Sequence, residues 1–184
     1  MNSIFLSPHN DDETLFGAFT LLRERPRVIV IFDGFAQGGR GIPITFQQRR
    51  FETKAACQIL GCPPPQFACF RDDDPTVTPN HIRSRVGQMI DRLAGKEIYT
   101  PAMEAGGHKQ HNMVAEAFGL VPGVKRYLTY TDRGKSVRPN EVPILQPEWI
   151  GLKLKALAVY NSQFDPRTGC AEHFIGRSLR EYML

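Results

Sequence analysis

The stretch Ser3-Ile4-Phe5-Leu6-Ser7-Pro8-His9-Asn10-Asp11-Asp12-Glu13 decides the fold. Residues 3–7 are a short apolar run of the kind that forms a buried strand. The polar loop behind them passes directly into helical spacing, with Leu15, Phe16, Phe19 and Leu22 on one face. The reading is strand, tight loop, helix.

The same alternation continues outward. Arg27–Phe32 is β-branched and apolar throughout, as a parallel strand covered on both faces should be. A glycine-bearing loop follows from Asp33 to Gly41, too loose for a regular element. A helix is expected over 51–60, stopped by Gly61 and Pro63-Pro64-Pro65. Residues 66–70 read as a strand, 71–75 as a turn, 79–93 as a helix and 97–100 as a strand. A loop rich in Gly and His, 105–111, leads to a short helix over 112–118 and a strand over 124–131. Residues 132–147 carry no legible pattern, and helices are expected near 148–159 and 173–182. Strands alternating with helices imply a three-layer α/β/α sandwich around a mostly parallel, Rossmann-like sheet. No repeat or linker divides the chain, so residues 1–184 are expected to form one domain. Loops 8–13 and 105–111 each follow a strand, which puts both on the same edge of the sheet.

Composition narrows the function classes. Lys and Arg number 23 against 19 Asp and Glu, a net charge of +4. The excess is spread out with no basic block longer than Arg49-Arg50, so a nucleic-acid interface is not expected. No apolar stretch is long enough to span a membrane, and residues 1–7 do not resemble a signal peptide; the expectation is a cytoplasmic protein. Cys57, Cys62, Cys69 and Cys170 form no Cys-x-x-Cys pair and read as buried free thiols.

His9, Asp11 and Asp12 crowd three ionisable groups into four positions. Adjacent carboxylates repel unless a cation or a hydrogen-bond network relieves them, and zinc accepts both imidazole nitrogen and carboxylate oxygen. The competing reading makes Asp11 or Asp12 the cap of the helix that follows. His108 and His111 supply further imidazoles beside Gly106-Gly107. Three protein ligands and one open position suit a catalytic zinc, a count met by His9, Asp12 and one of the two later histidines. His81 and His173 fall in expected helices and are assigned no role. Arg49 begins an Arg-x-x-Glu step to Glu52, read either as a surface pair or as a donor to a bound oxyanion. Gly34, Gly38, Gly39 and Gly41 match no phosphate-loop pattern.

Together these motifs resemble the LmbE-like/PIG-L family of zinc-dependent N-acetylglucosaminyl de-N-acetylases. The resemblance rests on Ser7-Pro8-His9-Asn10-Asp11-Asp12-Glu13 and on His108-Lys109-Gln110-His111. It also rests on the helix pattern Arg49, Glu52, Ala56, Leu60, Gly61, and on Lys155-Ala156, Tyr160-Asn161-Ser162-Gln163 and Glu172-His173-Phe174. It implies that His9, Asp12 and His111 hold zinc, or another divalent metal. It further implies Asp11 as general base, His108 as acid or protonated electrostatic partner, and Arg49 as a group near the acetyl moiety. The implied reaction is hydrolytic removal of an N-acetyl group from an amino sugar or glycoconjugate. A non-sugar N-acyl metabolite and a non-catalytic binding role are the alternatives. Asn10 stands where the family usually has Pro or Ala, and Gln110 where it commonly has Asp. The chain is short for the family, so a homo-oligomer could supply substrate-covering loops.

Overall fold

The computed structural model describes residues 2–33, 36–37, 43–90, 95–129, 140–141, 143, 145–164 and 181–183. Five strands, β1 (Ser3–Ser7), β2 (Arg27–Phe32), β5 (Gln66–Phe70), β6 (Glu97–Pro101) and β7 (Val124–Tyr127), run parallel in one sheet. Short β8 (Asn140–Glu141) and β9 (Tyr182–Met183) extend it antiparallel beyond β7, giving the order β5-β2-β1-β6-β7-β9-β8. The remaining strands, β3 (Ala36–Gln37) and β4 (Pro43–Ile44), form a separate two-stranded ribbon. The helices are α1 (Asp12–Glu24), α2 (Phe46–Ile59), α3 (Pro79–Met89), α4 (Lys109–Ala117), α5 (Glu148–Leu157) and α6 (Asn161–Phe164).

Side-chain alternation along the strands sorts the core into two faces. Ile4, Leu6, Ile29 and Ile31 pack with Ile82 and Val86 of α3 and with Val114 and Phe118 of the α4 region. Phe5, Val28 and Val30 point the other way, onto Ala18 and Leu21 of α1, Ala56 and Cys57 of α2, and Ala156 of α5. Both faces are covered, which is why β2 is apolar at every position after Arg27. Helix α1 lies so close that a Cβ on Gly17 would meet the Phe5 ring at 2.3 Å.

Of the parallel strands, β1, the first along the chain, sits between β2 and β6, so the winding reverses direction between β1 and β6. The carboxyl ends of two such strands leave a crevice where open α/β sheets bind their ligands. His9–Asp12 follow β1, and His108–His111 follow β6.

Several expectations shift. Helix α2 begins at Phe46, five residues early, because Thr45 caps it by accepting from the Gln48 amide at 3.2 Å. Helix α4 begins at Lys109 rather than Asn112, which makes His108 its N-cap and puts His111 in its first turn. The loop over 33–41 carries one strand of the β3–β4 ribbon. The helix expected over 173–182 falls mostly outside the described residues, and its last residue is instead in strand β9. Of the cysteines expected to be buried, Cys57 is, Cys62 is half-buried and Cys69 is exposed; Cys170 lies outside the described residues. Among the described residues no helix is long and apolar enough to cross a membrane.

Candidate active site

The turn after β1 is held from beneath by Glu13. This buried carboxylate accepts from the Asp11 amide at 3.2 Å, from the Thr14 hydroxyl at 2.9 Å and from the Tyr160 phenol. The Ser7 hydroxyl lies 2.7 Å from the His9 carbonyl oxygen and 3.1 Å from Glu13 Oε2. Asp11 pays for the tight turn with a backbone at φ 150°, ψ −28°, a region costing about 1–3 kcal/mol for a residue with a side chain. It is the N-cap of α1, but its side chain makes no capping hydrogen bond. The capping reading therefore fails for Asp11.

Three atoms from two distant segments converge. His9 Nδ1 lies 3.2 Å from Asp12 Oδ2 and 3.2 Å from His111 Nε2, and His111 Nε2 lies 3.1 Å from Asp12 Oδ2. Asp12 also accepts from the His9 backbone amide at 2.9 Å. The outer faces of both imidazoles are fixed: His9 Nε2 sits 2.7 Å from Gln110 Oε1, and His111 Nδ1 sits 3.2 Å from the Thr129 hydroxyl. His108 completes the cluster at the exposed rim, edge-on to His9 with ring centres 4.9 Å apart. His9, His108 and His111 each present a nitrogen within 4.8 Å of the others, a group that can hold a metal ion.

Arg49 is buried, not on the surface, and does not form the expected step with Glu52. It donates to the Asn10 carbonyl at 3.3 Å and lies 3.9 Å from both the Asp11 and the Asp72 carboxylates. Glu52 turns instead to Ser162, accepting from its amide at 2.9 Å and its hydroxyl at 2.5 Å. Asp72 is the site residue that sequence reasoning missed. It lay hidden in the run Asp72-Asp73-Asp74, yet its place just past the carboxyl end of β5 puts it on the active edge.

The electrostatics separate the two adjacent acids. Burial, then the charge on Asp12, pushes Asp11 up to about 8, against the pull of Arg49 and His9. Burial also works to raise Asp12, but the charges and hydrogen bonds of His111 and His9 hold it well below the usual carboxylate range. His9 loses by burial yet is raised by Asp12 and Asp72. Burial, and then the charges on His9 and His111, pulls His108 down to about 4. That shift favours the neutral ring near pH 7, whereas the resemblance implies an acid or a protonated partner. One acid is kept ionised and its neighbour is poised near neutrality, a division that suits a ligand beside a base.

Residues 4–120 match the family described as GlcNAc-PI de-N-acetylase. The chain belongs to the PIG-L family. Its members are metal-dependent deacetylases, and this chain is a deacetylase by that membership. The fold is shared with solved structures. A deacetylase from the teicoplanin biosynthetic pathway, solved as a triple mutant, matches with a TM-score of 0.71 at 19% identity, covering 96% of this chain and 89% of that one. The N,N'-diacetylchitobiose deacetylase of Pyrococcus horikoshii matches with a TM-score of 0.70 at 21% identity, covering 99% and 82%. A 4-carboxy-2-hydroxymuconate hydratase from Pseudomonas putida matches with a TM-score of 0.63 at 17% identity, covering 94% and 84%. The same architecture thus carries more than one reaction. No curated protein matches the sequence at a significant level.

Proposed function

We propose that this PIG-L protein is a zinc-dependent N-deacetylase acting on an N-acetylated amino sugar, with His9, Asp12 and His111 as metal ligands. The observation that carries the reading is the triangle of His9 Nδ1, Asp12 Oδ2 and His111 Nε2, with edges of 3.1–3.2 Å. Tetrahedral zinc with bonds of about 2.0–2.1 Å separates its ligand atoms by about 3.3 Å. Two nitrogens and one carboxylate oxygen also suit a borderline cation. His108 lies within reach of the same ion, but Asp12 lies 3.1–3.2 Å from both imidazole nitrogens and is the acid held ionised, so His108 is left facing the substrate.

A divalent ion held by His9, Asp12 and His111 would supply Lewis acidity, toward the amide carbonyl and toward a water nucleophile at neutral pH. The chain's own residues handle the protons. Asp11 takes one from the water that attacks the carbonyl carbon, and passes it to the nitrogen as the C–N bond breaks, leaving acetate and a free amine. Neutral His108 donates its N–H to the carbonyl oxygen as negative charge grows there. Arg49 anchors the turn through the Asn10 carbonyl. Its buried Nε has no hydrogen-bond partner among the described residues, which leaves a donor for the acetyl group or acetate.

The test is acetate release from a panel of N-acetylated sugars and N-acetylated amino acids, before and after chelation and zinc restoration. The expected result is a higher kcat/KM for a sugar, lost with the metal and regained with zinc. A non-sugar N-acyl compound as the better substrate, or no release by zinc-replete protein, overturns the substrate assignment or the reaction.

A further inference from the structure

Gln110 stands where the family commonly has a carboxylate, and its contacts reach across the sheet edge. Its Nε2 donates to the Asp72 carbonyl oxygen at 2.8 Å, while its Oε1 lies 2.7 Å from His9 Nε2. The first contact orients the amide: a carbonyl oxygen can only accept, so the Gln110 atom facing it is the nitrogen. The atom facing His9 is then an oxygen, which also only accepts. His9 must therefore carry its proton on Nε2. A neutral ring with that proton has its lone pair on Nδ1, the nitrogen turned toward Asp12 and His111.

We propose that Gln110 is a positioning residue that selects the Nε2–H form of His9, so that His9 meets the metal through Nδ1. The inference rests on the proposed metal site. An outer-shell acceptor of this kind orients a metal-bound imidazole and fixes its tautomer. An amide does so without adding charge, and its second hydrogen bond ties the turn after β5 to the metal site. Asp72 thereby meets the site twice, through its carbonyl to Gln110 and through its carboxylate beside Arg49.

The experiment compares zinc-loaded parent, Gln110→Leu and Gln110→Glu proteins, each labelled with 15N-histidine. Long-range 1H–15N spectra report which His9 nitrogen is bound to metal and whether the other holds a slowly exchanging proton; chelator competition reports zinc affinity. In the parent, His9 should bind through Nδ1 with a protected Nε2 proton. Gln110→Leu should lose that protection and weaken zinc binding by about 10–100-fold. Gln110→Glu keeps an acceptor, and should restore the protected proton with zinc affinity within a few-fold of the parent. Unchanged protection and affinity in Gln110→Leu, or zinc bound through His9 Nε2 in the parent, overturns the positioning role while leaving the metal site intact. A parent protein that binds no zinc overturns both.

Discussion

His9 Nδ1 and His111 Nε2, from residues 102 positions apart, lie 3.2 Å from each other and share one Asp12 oxygen. Two imidazole nitrogens at that distance cannot both present lone pairs without repelling. A cation resolves the conflict. His111→Ala and Asp12→Ala should therefore each lose bound zinc, with a content well below one ion per chain by elemental analysis, while His108→Ala should retain it. Full zinc content in either of the first two variants would contradict the ligand set.

Asp11 combines a strained backbone with a carboxylate burial has pushed up to about 8. Asp11→Asn keeps the size and should keep zinc, yet lose roughly 10²–10⁴-fold in kcat, the usual worth of a general base. Near-normal kcat would remove Asp11 from proton transfer. Asp11→Gly relieves the backbone and should raise unfolding stability by about 1 kcal/mol in the metal-free protein, measured by urea titration. A fall in stability would show that φ at this position carries no strain.

Lys153 and Glu181 form a fully buried pair at 2.7 Å that is threaded into α1. Lys153 Nζ donates to the Leu15 carbonyl at 2.9 Å, and Glu181 accepts from the Phe19 amide at 2.9 Å, so the pair engages groups one helical turn apart. Helix α1 begins with Asp12, and this latch holds its far side. Glu181→Leu strands a buried ammonium and should cost about 3–5 kcal/mol. Adding Lys153→Met should recover most of that loss, as judged by denaturation midpoints; equal stability of the single and double variants would show that the pair is not coupled.

The thiols should separate by reactivity. Burial pushes Cys62 up to about 12 and Cys57 well above its ordinary value, so at pH 8 only about one Cys62 in ten thousand is thiolate. Alkylation followed by peptide mass spectrometry should modify exposed Cys69 before either. Cys62 labelling should then rise about tenfold per pH unit between 7 and 10, because its thiolate fraction does. Rapid labelling of Cys57 in native protein would contradict its burial.

What was legible in the sequence follows from where periodicity is strong. Strands β1 and β2 and helix α1 carry nearly continuous apolar patterns, and their places held. The crowding of His9, Asp11 and Asp12 with His108 and His111 was also visible, since five ionisable groups on two strand-ending loops are costly without a shared purpose. Helix starts were less visible: α2 opens with Phe46-Gln47-Gln48, where a Thr45 cap and not an apolar stripe sets the boundary. Asp72 was invisible because its neighbours Asp73 and Asp74 look identical in sequence. Only tertiary packing separates them, half-burying Asp72 beside Arg49 while Asp73 pairs with Arg71 in solvent. The contacts of Gln110 are likewise hidden in the sequence, since no local pattern reveals a hydrogen bond to a ring 101 residues away.

Anomalous diffraction at the zinc edge from zinc-loaded crystals would locate the ion and its ligands. One strong peak is expected about 2.0–2.2 Å from His9 Nδ1, Asp12 Oδ2 and His111 Nε2, with Asp11 and His108 beyond bonding distance. A map without that peak, or with the ion held by His108 in place of Asp12, would contradict that assignment.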